Sequence, residues 1–117
     1  MKTLLLAFFI TIISVLSGCS GQSTHRILTD IESFIWERPD SALAVLDTMD
    51  RTSLKTERQR AHHALLHAMA LDKNYINVSE DSIAQVAVDY YSKHGSRQRY
   101  ARSLYYLGLA YYYQEEN

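Results

Sequence analysis

The sequence predicts an all-α protein. Only one proline (Pro39) and four glycines occur among the 117 residues, and so few helix-breaking residues favour helices joined by short connections. Apolar residues recur at intervals of three and four through most of the chain, which is the spacing of one helix face. Similar stretches return after about 40 residues, as expected for stacked helix pairs.

Residues 1–18 are predicted to be a secretory signal peptide. Lys2 is followed by an apolar run over residues 4–15, which fits a signal peptide and is too short to span a bilayer comfortably. The quartet Leu16-Ser17-Gly18-Cys19 resembles the lipobox of bacterial lipoproteins. This resemblance implies cleavage before Cys19 and fatty acylation (palmitate and similar chains) of its sulfur and amine. The protein would then be lipid-anchored to an inner or outer membrane of the cell envelope and face the periplasm. An ordinary signal peptide that ends in cysteine is the alternative.

The cysteine count and the charge exclude several functions. Cys19 is the only cysteine, so an internal disulfide and a thiolate metal site are ruled out. Because only Lys2 among the charged residues precedes Cys19, the remainder keeps 11 basic and 13 acidic residues. This balance argues against a nucleic-acid-binding surface. Residues 19–23 are predicted to be the lipidated cysteine and a polar tether, and residues 24–117 one small helical domain.

Five helices are expected in this domain, over residues 24–38, 39–49, 54–72, 79–94 and from 96 to the end. Pro39 is expected to stop the first helix and start the second. Gly95 suits the left-handed residue that follows a helix, whereas Tyr75 and Ile76 are expected to pack inward from a turn. The apolar stripes of the helices are expected to form the core: Ile27, Leu28, Ile31, Phe34, Ile35; Ala42, Leu43, Leu46, Met49; Ala61, Ala64, Leu65, Ala68, Met69; Ile83, Val86, Ala87, Tyr90; and Tyr100, Leu104, Leu107, Tyr111.

Two markers repeat with nearly one period. Asp40-Ser41-Ala42-Leu43 at the start of the second helix matches Asp81-Ser82-Ile83-Ala84 at the start of the fourth, 41 residues later. Residues 61–68 of the third helix match residues 101–108 of the fifth after 40 residues. Two markers with nearly the same offset predict stacked antiparallel helix hairpins.

The last helix carries a family resemblance. Leu104-Tyr105-Tyr106-Leu107-Gly108-Leu109-Ala110-Tyr111 resembles the first helix of a tetratricopeptide repeat (TPR), whose pattern is W-x2-L-G-x2-Y, with Leu104 in place of the tryptophan. The resemblance is strongest over residues 96–117 and weaker over 39–95. It implies an α-solenoid of about two and a half helix pairs, in which a neighbouring helix passes close to Gly108.

With the lipobox, the chain resembles the lipid-anchored TPR proteins of Gram-negative envelopes. This resemblance implies a membrane-anchored scaffold that binds an unidentified protein or peptide and is not an enzyme. Because TPR helices come in pairs, the unpaired last helix leads us to expect a fragment of a longer, regulatory protein. The alternative is that its exposed tyrosine-rich face binds a partner or another copy of the chain.

The candidate partner-binding residues lie mainly on that last helix. Tyrosine supplies a large contact area and a hydroxyl group at low entropic cost, which suits peptide recognition. Arg102 belongs to a basic group at the start of the helix and can meet a carboxylate of a partner. The candidates are Tyr105, Tyr106, Tyr112, Tyr113 and Arg102.

A second hypothesis is a helical metal-binding or enzymatic lipoprotein that uses His62, His63 and His67. His63 and His67 are four residues apart and share a helix face, which is the spacing of many two-histidine zinc sites. The segment lacks the glutamate of H-E-x-x-H, and no third ligand stands nearby in sequence. We therefore expect no catalytic residue, no resident metal and no cofactor.

Overall fold

The computed structural model describes residues 20–116 and confirms the all-α fold over that range. The signal peptide and Cys19 lie outside the described residues. No strand occurs within the described range. The elements are α1 (Ser20–Phe34), α2 (Pro39–Thr48), a short 3-10 helix (Arg51–Ser53), α3 (Glu57–Lys73), α4 (Ser82–Tyr91) and α5 (Arg97–Glu116).

Local sequence explains where the helices begin. Pro39 occupies the first turn of α2, where its missing N–H group costs nothing. Thr56 caps α3, because its hydroxyl accepts a 3.1 Å hydrogen bond from the Gln59 N–H group. The Gln59 side chain accepts in turn from the Lys55 N–H group at 2.9 Å. This reciprocal cap starts α3 three residues later than the sequence predicts. Residues 20–23, expected to form a tether, belong to α1.

Helix α3 is the centre of the domain, since it packs against each of the other four α-helices. In addition, α1 contacts α2, and α4 contacts α5. Small side chains on α3 allow its neighbours to approach closely. Its buried residues are Gln59, Ala61, His62, Ala64, Leu65, Leu66, Met69 and Ala70.

One continuous core runs from α1 to α5. Leu28 and Ile31 of α1, with Ile35 just after it, form one end of the core, and Tyr106 of α5 forms the other. These three residues belong to the predicted stripe of the first helix, but Ile27 of the same stripe is 40% exposed. The predicted stripes of α2 and α3 also lie in the core or against it. The sequence therefore predicts the core of the first three helices well.

The predicted core faces of the last two helices were partly wrong. Helix α4 buries Ala84, Ala87, Val88 and Tyr91, whereas Val86 of the predicted stripe is exposed. It lies between α3 and α5 and therefore turns two adjoining sides inward. Helix α5 buries Ser103, Tyr106 and Ala110. Leu104 and Tyr111 of its predicted stripe are exposed, and Tyr100 and Leu107 are half-buried against the core. Apolar residues lie all round both helices, so spacing alone does not identify the buried side.

The turn after α3 also differs from the prediction. Tyr75 has a φ of 61° and is 93% exposed, and Ile76 is 44% exposed. The Tyr75 N–H group donates to the Asp72 carbonyl at 2.9 Å, and the Ile76 N–H group donates to the Leu71 carbonyl at 2.9 Å. This pair of bonds is a Schellman motif, which places a left-handed residue just after the helix. Satisfying the last carbonyls of α3 therefore turns Tyr75 outward.

The turn before α5 follows the prediction. Gly95 has a φ of 82° and allows the chain to reverse between α4 and α5. Among the described helices, none combines the length and apolar character needed to cross a membrane.

Candidate functional site

A polar network joins four helices on the inner side of α5. The Arg99 guanidinium donates from Nη2 to both carboxylate oxygens of Glu32, at 3.2 and 2.9 Å. His62 Nε2 lies 3.2 Å from Glu32 Oε2, and Arg99 Nη1 lies 3.5 Å from the Tyr91 hydroxyl group. We call these four residues the Glu32 network. Because its charged groups are paired and half-buried or buried, the network holds α1, α3, α4 and α5 together.

The electrostatics of His62 fit that structural role. Burial lowers the pKa of His62, and the Arg99 charge acts in the same direction, while Glu32 opposes both. The imidazole is therefore neutral at pH 7. Since the Glu32 carboxylate can only accept, Nε2 of His62 carries the proton and donates it to that hydrogen bond.

The three histidines of the metal hypothesis have separate partners. His62 faces α1, whereas His63 Nε2 lies 3.0 Å from the Leu46 carbonyl oxygen and His67 Nε2 lies 3.0 Å from Asp47 Oδ1. Burial also lowers the pKa of His63. Within residues 20–116, no group of three or more histidine, cysteine or acidic residues is arranged to hold a metal ion. The structure thus offers no observation that favours the metal hypothesis.

Helix α5 presents apolar residues on two opposite sides. The inner face packs on the core through Ser103, Tyr106 and Ala110, which are 0%, 9% and 4% exposed. On the opposite side, Leu104, Tyr105, Tyr111 and Tyr112 are 43%, 59%, 46% and 56% exposed. With the exposed Ala101 and Gly108, these residues form what we call the outer face of α5.

The described part of the chain leaves the outer face uncovered. A Cβ atom added at Gly108 would meet no described atom within 4 Å. The expectation that a neighbouring helix passes close to Gly108 is therefore not met within residues 20–116. An exposed patch with several large apolar side chains marks an interaction site more often than a scattered apolar residue does.

The sequence-predicted binding residues divide between these two sides. Tyr105 and Tyr112 lie on the outer face. Tyr113 is half-buried and lines a small cavity of about 30 Å³ between α3, α4 and α5, which has room for about one water molecule. Tyr106 lies on the inner face instead, where its ring packs in the core. Burial raises the pKa of Tyr106 to about 12, with smaller contributions from Asp72 and Tyr105.

Arg102 lies beside a tryptophan that was not among the predicted binding residues. Trp36, which follows α1, is 57% exposed. Lys73 Nζ lies 3.6 Å from the centre of a Trp36 ring, and Arg102 Cζ lies 5.8 Å from it. These cation–π contacts join the ends of α1 and α3 to α5. Trp36 is the only tryptophan of the chain, and that rarity was the one sequence signal available.

A wider cleft of about 450 Å³ lies between the start of α3 and the end of α4. Its lining mixes acidic, basic, apolar and aromatic side chains: Glu57, Arg60, Val86, Asp89, Tyr90, Lys93 and His94.

Comparison with protein-family models, with curated proteins and with solved structures finds no match for this chain. The outer face of α5 is therefore the candidate site that the geometry itself favours.

Proposed function

We propose that this chain is a lipid-anchored scaffold for protein–protein interaction in the bacterial envelope, built from TPR-like helix pairs. The observation that carries this proposal is the outer face of α5, where four large apolar side chains are 43–59% exposed along one helix. A helix with an open apolar side suits recognition of another helix in a groove or across a face. Turnover and a cofactor are not part of this function.

The packing order supports the TPR-like arrangement. Helix α3 contacts α1 and α5, and α2 and α4 each pack against α3. Contacts between alternate helices, with the intervening helix packed beside them, are what stacked hairpins require. In this arrangement α1, α3 and α5 are the first helices of three successive pairs, and the outer face lies where the next helix or a partner would pack.

The proposed anchor places this scaffold near the membrane surface. Lipidation at Cys19 would attach acyl chains one residue before Ser20, where α1 begins. Two or more acyl chains hold a protein stably, since each buried CH₂ group contributes about 0.8 kcal/mol. The domain would therefore stand on the membrane without a long spacer.

Membrane attachment is tested by replacing Cys19. We expect Cys19→Ala to move the protein from the membrane fraction to the soluble fraction, whereas the control Ser20→Ala stays with the membrane. The readout is fractionation of cells that express the full chain, followed by immunoblotting. If Cys19→Ala still sediments with the membrane, the lipid anchor is wrong.

The interaction site is tested by photo-cross-linking in cells. A photoreactive amino acid placed at position 105 or at position 112 should form protein adducts, and one at the exposed Ser92, away from α5, should not. Tyr105→Ala should reduce the adducts formed from position 112, because it removes part of the same face. Absence of adducts from both position 105 and position 112 would overturn the proposed scaffold function of this face.

A further inference from the structure

A row of six residues runs along the outer face of α5 and continues beyond it toward both ends of the helix. Their intervals alternate between four and three residues, so they form one stripe along the helix. All six are exposed. From the start of the helix to its end, the row consists of Arg97, Ala101, Leu104, Gly108, Tyr111 and Glu115.

This row complements itself when one copy is reversed. Positions at equal distances on either side of the level of residue 106 form three pairs: Arg97 with Glu115, Ala101 with Tyr111, and Leu104 with Gly108. The first pair joins a basic and an acidic residue, and the other two each join a small and a large residue. Neither Arg97 nor Glu115 takes part in any ion pair found in the described residues.

We propose that two copies of this chain pair in an antiparallel manner through the outer faces of their α5 helices. In such a two-fold interface every contact occurs twice, so the three complementary pairs become six contacts. Gly108 and Ala101 let the helix axes approach, while Leu104 and Tyr111 of the second copy fill the space above them. The proposal rests on the proposed function, because it names the occupant of the same site.

The direction of pairing follows from charge and shape. In a parallel pair with the same register, Arg97 would face Arg97, and Gly108 would face Gly108. Such pairing brings like charges together and leaves gaps at the glycines. The antiparallel pair places each Arg97 against Glu115 and opposes the two helix dipoles. Because Arg97 and Glu115 are 18 residue steps apart, or about 27 Å at 1.5 Å per residue, the charged contacts lie at both ends of the interface.

Engineered disulfides test this geometry. We expect the variant that carries both Ala101→Cys and Tyr111→Cys to form a disulfide-linked dimer under mild oxidation in membranes that hold the full chain. The two single variants are the matched controls. Equivalent positions 101 lie ten residues apart along an antiparallel pair, about 15 Å, which is beyond the reach of a disulfide. Non-reducing electrophoresis reads the result.

Charge reversal supplies an independent readout. Arg97→Glu in the double-cysteine variant should reduce the disulfide dimer, because it places two acidic groups at each end of the interface. Adding Glu115→Arg to the same chain should restore the dimer by reversing the pair. A purely structural role of Arg97 within one chain would not give this rescue.

Three outcomes would overturn the antiparallel pair: no disulfide dimer in the double variant, an equally strong dimer in the Ala101→Cys control, or failure of the charge swap to restore cross-linking. These results leave the scaffold function separately testable. Adducts of position 112 with a different protein would then keep the proposed function while removing the second copy as its occupant.

Discussion

The two faces of α5 have similar side chains and opposite surroundings. Tyr106 on the inner face is 9% exposed, whereas Tyr105, its neighbour in sequence, is 59% exposed. Their rings meet edge to face with centroids 5.0 Å apart. What separates the two tyrosines is that, within residues 20–116, α3 and α4 pack on one side of α5 and no helix packs on the other. Both sides of α5 therefore carry apolar side chains, and only the side that packs against neighbouring helices becomes part of the core.

The charged residues at the start of α5 show the same contrast. Arg99 on the inner side donates to Glu32 with its closest contact at 2.9 Å. Arg97 on the outer side is exposed, and none of the ion pairs in the described part of the chain involves it. On the inner face, the polar groups are paired and the apolar groups are packed within the chain. On the outer face, the corresponding groups are exposed and could contact a second molecule.

The largest effect should come from truncating the two adjacent tyrosines one at a time. We expect Tyr106→Ala to lower the free energy of unfolding by about 3 kcal/mol, because it leaves a cavity in the core. Tyr105→Ala should change it by less than about 0.5 kcal/mol, as is usual for an exposed side chain. Urea unfolding of the full chain, followed by circular dichroism, measures both values.

Dilute protein is needed for this comparison, so that pairing through the outer face does not contribute to stability. Equal losses for the two variants would mean that the outer face is as buried as the inner one. A negligible loss for Tyr106→Ala would contradict the packing of α5 on the core.

The sequence predicts the core well where a helix has one apolar side. In and just after α1, Leu28, Ile31 and Ile35 recur at intervals of three and four, and all three are buried. On α5, the stripe through Leu104 and Tyr111 is as regular as the one that is buried. The spacing of apolar residues predicts that a helix has an apolar face. When a helix has two such faces, the spacing does not predict which one packs against another helix. That choice is made by tertiary packing.

The candidate site follows the same logic. The sequence predicted that tyrosines of α5 bind a partner, and of these Tyr105 and Tyr112 lie on the outer face. It could not predict that Tyr106 lies on the inner face, because burial depends on helices that are distant in sequence. The Glu32 network was equally inaccessible, since Glu32 and Arg99 are 67 residues apart. No local spacing relates two such residues.

A smaller effect is expected on the free energy of unfolding at alkaline pH, through the Tyr106 hydroxyl group. The pKa of Tyr106 in the folded chain is about 12, against about 10 for a free phenol. Between these values the unfolded chain releases a proton that the folded chain keeps, so stability falls as the pH rises above 10. We expect Tyr106 to account for a loss of about 1 kcal/mol between pH 9 and pH 11.

Phenylalanine substitutions separate this effect from packing. Tyr106→Phe keeps the ring in the core and removes the titrating group, so its stability should fall less between pH 9 and pH 11 than that of the original chain. Tyr105→Phe is the control on the opposite face and should leave the pH dependence nearly unchanged. Urea unfolding at the two pH values gives the comparison, and equal slopes for Tyr106→Phe and the original chain would refute the assignment.

The smallest effect is expected from substitutions at Gly108 and Ala101. They test whether the outer face is uncovered in the single chain and covered when two chains pair. In dilute protein, Gly108→Ala should raise the free energy of unfolding by up to about 1 kcal/mol, because alanine favours the helix and the added methyl group meets no described atom. Ala101→Gly on the same face should lower it by a similar amount. At high concentration the methyl group of Gly108→Ala would face Leu104 of the second copy, so association measured by sedimentation should weaken while the single chain becomes more stable. A loss of stability in the dilute variant would instead show that Gly108 already packs closely within one chain, and the two faces of α5 would then not differ as described.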